Sequence, residues 1–427
     1  MEAPPPSSDP YKFLNITLNA DGSLTRHREF PKLPPTEQSK DIPLNQTNNT
    51  FIRIFKPRNI PPESKLPILV YYHGGGFLFY SAASAPFHES CTKMADRLQT
   101  VILSVEYRLS PEHRLPAAYE DAVEAVLWLR DQARGATNGG DCDTWLKDGV
   151  DFSKCFVMGS SSGGNIVYNV ALRVVDTDLS PVKIQGLIMN QAFFGGVEPS
   201  DSESRLKDDK ICPLPATHLL WSLCLPDGVD RDHVYSNPVK SSGPQEKDKM
   251  GRFPATLING YGGDPLVDRQ RQVADMLKAR GVHVQTRFDE DGFHACELFD
   301  ANKAKALYET VEAFIKSCCS STDPSSNMDR DHVYSNPVKS SGPQEKDKMG
   351  RFPATLINGY GGDPLVDRQR QVADMLKARG VHVQTRFDED GFHACELFDA
   401  NKAKALYETV EAFIKSCCSS TDPSSNM

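Results

Sequence analysis

Residues 230–328 recur without a single substitution as residues 329–427. No other feature constrains the fold as much, because two identical segments cannot occupy one place in one core. Setting the second copy aside leaves 328 residues of unique sequence, the size of one large α/β domain with insertions. The sequence therefore predicts a single domain over residues 1–328, with 329–427 as an exact duplicate of 230–328, a displaced or artefactual extra copy. If the second copy took the first copy's place, the first would become a loop of 99 residues. Closing such a loop costs on the order of 4 kcal/mol, about three powers of ten in favour of the first copy.

Within the unique part, apolar runs alternate with helical stripes. Leu66–Tyr72 is a continuous apolar run, and Val101–Val105, Cys155–Met158, Ile184–Met189 and Ala255–Asn259 are mainly apolar, the pattern of strands buried on both faces. Val282–Phe288 alternates as a further strand. Between them, Ala122, Ala125, Val126 and Leu129 form one helical stripe, and Ile166, Val167, Val170 and Val174 another. A third runs through Ala304, Leu307, Tyr308, Val311, Phe314 and Ile315. Strand and helix alternating this often predict an α/β fold, a mainly parallel central sheet flanked by helices. Residues 1–50, polar and rich in proline and asparagine, read as an arm or lid segment.

The motifs fall at the carboxyl ends of predicted strands, where ligands bind in such sheets. Gly159-Ser160-Ser161-Ser162-Gly163 sits between a strand and a helix and has the G-x-S-x-G form of a nucleophile elbow. Its glycines are needed because a Cβ in so tight a turn would strike neighbouring backbone, and Ser161 projects at a helix N-terminus that favours negative charge. His73-Gly74-Gly75-Gly76-Phe77 follows the strand Leu66–Tyr72. Its glycines can aim backbone N–H groups into a site, as acyl transfer requires. The acid and the base should follow in that order. Asp264, in Gly263-Asp264-Pro265-Leu266, and His294, in Asp291-Gly292-Phe293-His294, each follow a strand and are the expected pair. Asp268 reads as a charge in an early helical turn, His283 as a structural residue, and the segment Tyr107–His113 as a turn held by local ion pairs. Phe77, Phe79, Tyr80, Phe193 and Phe194 read either as pocket walls or as core.

Taken together, His73–Phe77, Tyr107–His113, Leu115–Tyr119, the elbow with Gly164 and Asn165, Gly263–Leu266 and Gly292–His294 resemble a known family. The sequence is similar to plant carboxylesterases of the hormone-sensitive-lipase-like group of α/β-hydrolases, which also contains the gibberellin receptors. The resemblance implies an α/β-hydrolase fold with a cap drawn from residues 1–50 and about 193–230. It implies a serine carboxylesterase with Ser161, His294 and Asp264 as the triad. Gly75, Gly76 and Ser162 would supply the oxyanion hole. It also implies no cofactor and no metal. Serine stands at both variable elbow positions, where the family has G-D-S-A-G. Two alternatives belong to the same group: a gibberellin-receptor-like binding protein, in which the catalytic histidine is replaced, and a lyase or cyclase using the same pocket. The repeat carries Asp363 and His393 at the spacing of Asp264 and His294, but neither elbow nor glycine loop.

Charge and composition narrow the partners. The net charge of −9 becomes −7 without the second copy, since each copy holds 15 acidic and 13 basic residues. A mildly acidic chain with no basic run predicts no nucleic-acid or membrane partner, leaving a small-molecule ester and a monomer or homodimer. The N-terminal MEAPPPSSDP lacks the basic start and apolar stretch of a secretory signal. Eight of the eleven cysteines lie in the unique part without metal-type spacing. Reduced thiols and a cytoplasmic location are the expectation.

Overall fold

The computed structural model describes residues 9–60, 64–147, 149–320, 352–363, 365–391, 395 and 399–419. It divides into two compact units, Met1–Pro324 and Ser325–Met427. The first is built on an eight-stranded sheet of order β10-β9-β8-β7-β5-β6-β4-β3. These strands are β3 (Ser39–Asn45), β4 (Thr50–Phe55), β5 (Leu66–Tyr72), β6 (Val101–Val105), β7 (Val150–Ser160), β8 (Ile184–Asn190), β9 (Ala255–Gly263) and β10 (Val284–Phe293). From β10 to β6 every pairing is parallel, while β4 joins β6, and β3 joins β4, antiparallel. A small antiparallel hairpin, β1 (Ile16–Leu18) with β2 (Leu24–Arg26), stands apart from this sheet.

The period of two along each strand sorts side chains onto the two faces. In β5, Leu66, Ile68, Val70 and Tyr72 join the larger core cluster, and Leu69 and Tyr71 join the other. Helices α3 (Ala117–Asn138), α5 (Ser162–Val174) and α10 (Val267–Lys278) supply apolar residues to the first face, whereas α2 (Ala85–Leu98) and α11 (Ala301–Ser320) supply them to the second. Both faces are thus covered, which is why the central strands read as mainly apolar runs rather than as alternating ones. The remaining helices are short: α1 (Pro10–Leu14), α4 (Thr144–Lys147), α6 (Asp201–Arg205), α7 (Leu214–Cys224), α8 (Pro238–Ser241) and α9 (Pro244–Met250).

The segment expected as an arm is partly sheet. Ser39–Asn45 is the edge strand β3, and Ile16 and Leu24 are buried in the main core. The sequence hid this because β3 has one solvated face and contains Pro43, tolerated only at an edge. The turn after β6 is not held by local pairs alone. Arg108 does pair with nearby Asp121 at 2.8 Å, but Glu112 reaches back to Arg26 in the hairpin, also at 2.8 Å.

The second unit contains β11 (Thr355–Tyr360) paired in parallel with β12 (Val383–Asp388), and helices α12 (Val366–Lys377) and α13 (Ala400–Ser419). Among the described residues β11 has one partner strand, whereas its sequence twin β9 has two, β8 and β10. Met375, Leu376 and Val381 form its own small cluster. Among the described residues no helix is long and apolar enough to cross a membrane.

Candidate active site

The sheet order reverses between β5 and β7. From β5 the chain moves to β6 on one side, then returns to lay β7, β8, β9 and β10 on the other. Such a switch point opens a crevice at the strands' carboxyl ends. Tyr72 pairs with Gly159 in register there, so the glycine loop after β5 and the serine elbow after β7 emerge side by side.

Contacts at the elbow show why its residues are small. A Cβ on Gly163 would lie 2.0 Å from the Tyr72 carbonyl oxygen, and one on Gly159 2.2 Å from the Gly163 backbone. Ser161 caps α5 with φ 54° and ψ −118°, a strained conformation for a residue with a side chain. Its N–H donates to the Asn190 carbonyl at 2.9 Å, and its own carbonyl accepts from Gly164, Asn165 and Phe193. The strain is held by bonds on both sides of the residue.

Asp264 follows β9 directly and His294 follows β10 directly, with Phe293 paired to Gly263 across the two strands. His294 Nε2 lies 2.9 Å from Ser161 Oγ, and Nδ1 lies 3.0 Å from Asp264 Oδ2. The structure therefore brings the three expected residues into one hydrogen-bonded series. Asp264 is fully buried and His294 is 4 % exposed. Asp264 Oδ1 accepts from the Leu266 N–H at 2.9 Å and Oδ2 from Gln270 Nε2 at 3.0 Å, which fixes the carboxylate. Burial acts to lower the His294 pKa, but the Asp264 carboxylate, and after it Cys212, outweigh burial and hold it well above the ordinary value of 6.5. In the repeat, Asp363 is buried and accepts from the Leu365 N–H at 2.8 Å, while His393 lies outside the described residues.

The glycine loop adopts backbone conformations that favour glycine. Gly75 and Gly76 have φ of +120° and +60°, and a Cβ on Gly75 would fall 2.3 Å from the Phe79 carbonyl oxygen. Among the described residues the N–H groups of Gly75, Gly76 and Ser162 have no acceptor within the protein. His73 props the loop from below: its Nδ1 donates to the Gly74 carbonyl at 2.8 Å and its ring stacks on Tyr107 with centroids 4.3 Å apart. Burial pushes the His73 pKa down to about 4, so this histidine is neutral. Helix α7 closes over the loop. Leu220 packs against Gly76, and Cys224 Sγ donates to the Gly76 carbonyl at 3.3 Å.

The aromatic residues divide. Phe77, Phe193 and Phe194 are buried core, with Phe193 stacked on Trp221 of α7 at 4.4 Å, rather than open walls. Phe79 and Tyr80 instead meet Phe30 of the N-terminal segment. Asp268 lies in the first turn of α10, as expected of an early-helix charge, and accepts from the Ser202 N–H at 2.7 Å, tying α6 to α10. Gln270, Asn190, Gln191 and Glu297 were not legible as site residues. They converge from distant parts of the chain, and none sits in a motif of its own.

A serine, a histidine and a buried aspartate hydrogen-bonded in series, beside a glycine loop at the switch point of a doubly covered sheet, are the arrangement of an α/β-class hydrolase. The chain belongs to the alpha/beta hydrolase fold family, whose sequence model matches residues 69–298 and 301–397. It is 93 % identical over 327 residues to "Probable carboxylesterase 8" of Arabidopsis thaliana, covering 77 % of this chain and 99 % of that protein. "Gibberellin receptor GID1C" of the same plant is 30 % identical over 331 residues, covering 71 % of this chain and 91 % of the receptor. Among solved structures, a hyperthermophilic esterase from the archaeon Pyrobaculum calidifontis superposes with a TM-score of 0.55 at 25 % identity. That match covers 67 % of this chain and 87 % of the esterase.

Proposed function

We propose that this carboxylesterase is a serine esterase that cleaves small apolar or aromatic carboxylic esters through an acyl-enzyme. Ser161 Oγ attacks the ester carbonyl as its proton passes to His294 Nε2. Asp264 keeps Nδ1 protonated and stabilises the imidazolium that forms. The N–H groups of Gly75, Gly76 and Ser162 receive the oxyanion, a task for donors about 2.7–3.1 Å from that oxygen. The alcohol departs with the proton from His294. Water, deprotonated by the same nitrogen, then releases the acid and restores Ser161.

The observation that carries this reading is the 2.9 Å approach of His294 Nε2 to Ser161 Oγ, with Asp264 at 3.0 Å behind it. It favours turnover over receptor-like holding, because a base already addresses the serine. We assign the work to the first copy, residues 230–328, with 329–427 as an appended duplicate. The sheet positions of β9 and β10 support that assignment. Leu220 of α7, packed against Gly76 of the glycine loop, supports an apolar substrate.

Hydrolysis of a short 4-nitrophenyl ester tests the reading. Ser161→Ala should lower kcat by at least about a thousandfold. Hydrolysis at the parental rate would remove Ser161 as nucleophile.

A further inference from the structure

Beneath the triad lies a buried carboxylate that the serine mechanism does not use. Glu297, three residues after His294, is 9 % exposed, and both of its oxygens are held by neutral side-chain amides. Its Oε1 accepts from Asn190 Nδ2 and its Oε2 from Gln191 Nε2, both at 2.6 Å. Two amide donors on two oxygens suit the ionised form, which only accepts. Leaving a charged carboxylate buried without a counter-charge is costly, so such a group is retained where its charge or geometry serves something.

The bonds around Glu297 lead to the reacting groups. The Gln191 amide that donates to Glu297 also accepts, through Oε1, from the Ala295 N–H at 2.6 Å. Ala295 adjoins His294 and holds φ +60°, and Gln191 holds φ +47°. One side chain thus pins two points of the histidine loop to the end of β8. Asn190 Nδ2 bonds Ser160 Oγ at 3.1 Å as well, and Asn190 carbonyl accepts from the Ser161 N–H. Asn190 Oδ1 accepts from Asn259 Nδ2 at 2.7 Å, where β9 passes. Elbow, β8, β9 and histidine loop are joined through one carboxylate bonded at both oxygens.

We infer that Glu297 is a positioning residue for the proposed esterase reaction: through Gln191 and Asn190 it fixes the His294 loop against the serine elbow, and its negative charge supports the imidazolium. This rests on the serine-esterase reading above. The titratable groups around it are His294 and Cys296 on its own loop, Tyr71 of β5, Tyr261 of β9 and Tyr308 of α11. The three phenols are all pushed above their ordinary values by burial and stay neutral near pH 7. Burial raises the Glu297 carboxyl as well, opposed by its own backbone N–H, by His294 and by the Gln191 and Asn190 amides, so Glu297 is the carboxyl group of this set that His294 meets. Facing His294 from its other neighbours are Asp264 and Cys212.

The test is kinetic, on the full chain with a 4-nitrophenyl ester. Glu297→Gln should lower kcat by about 10- to 100-fold with KM little changed, the scale of a small misplacement. Losing the charge should also move the acid limb of the kcat/KM profile down by about half a pH unit or more. A folded Glu297→Gln enzyme with parental kcat overturns the inference, and so does lower kcat with the limb unmoved, since that is a structural effect alone. If this variant does not fold, Gln191→Met takes its place, breaking the bridge while keeping the carboxylate. Lower kcat at constant KM then supports the inference, and parental kcat overturns it. Ser161→Ala, run in parallel, separates the two levels: activity surviving there sinks the esterase mechanism itself.

Discussion

Tyr308 and Tyr407 hold the same place in two identical segments, yet Tyr308 is 7 % exposed and Tyr407 is 72 % exposed. Tyr308 also meets Ser90 of α2 at 3.1 Å. The contrast recurs at Ile315 and Ile414, at 5 % and 55 %, and at Leu266 and Leu365, at 1 % and 51 %. Sequence cannot cause the difference. Only the surroundings differ, and copy one has a hydrolase sheet to bury these side chains against.

Paired substitutions therefore have unequal costs. Ile315→Ala should destabilise the activity-bearing domain by about 2–4 kcal/mol, the range for truncating a buried aliphatic side chain. Ile414→Ala, at an exposed site, should stay within about 0.5 kcal/mol. Urea titration followed by loss of esterase activity checks both. Equal shifts would mean that the copies share the core position.

The elbow makes a steric prediction. With backbone 2.0 Å from a would-be Cβ, Gly163→Ala must open the contact between β5 and α5. We expect a loss of at least about 3 kcal/mol and little folded protein. Gly140→Ala is the control, since its Cβ would meet nothing nearer than 3.5 Å. Its effect should be within about 0.5 kcal/mol. Thermal unfolding of the two variants is the measurement.

The acid limb of activity follows from the state of His294. The base works only as neutral imidazole, and protonation below its pKa removes it. Burial would lower that pKa, but Asp264 and then Cys212 raise it well above 6.5. Activity should accordingly be lost as pH falls, with a midpoint of kcat/KM above 6.5, so that the rate at pH 8 exceeds that at pH 6. A flat profile from pH 8 to pH 5 would remove His294 as the base.

Much of this was legible because the proposed catalytic residues lie in local motifs at the ends of long, doubly buried strands. Leu66–Tyr72 and the elbow each declare themselves within a dozen residues, and the loops carrying Asp264 and His294 follow by chain order. What stayed hidden lacked a local signal. Edge strand β3 alternates weakly around Pro43, and the antiparallel strand β4 (Thr50–Phe55) is short and begins with a threonine. Helix α2 has polar residues scattered between its core contacts Phe87, Cys91, Met94 and Ala95. Glu297, Gln191 and Asn190 meet only after β8 and the histidine loop are brought together, across about a hundred residues of chain. Phe193 and Phe194 were ambiguous by sequence because aromatic residues line pockets and fill cores alike. Trp221, far along the chain, decides the question for Phe193 by stacking on it.

The most direct test of the whole account compares His294→Ala with His393→Ala in the full chain, reading hydrolysis of a short 4-nitrophenyl ester. The relay built from the first copy predicts that His294→Ala abolishes turnover and that His393→Ala retains the parental rate. Loss in His393→Ala alone, or in neither variant, would contradict it.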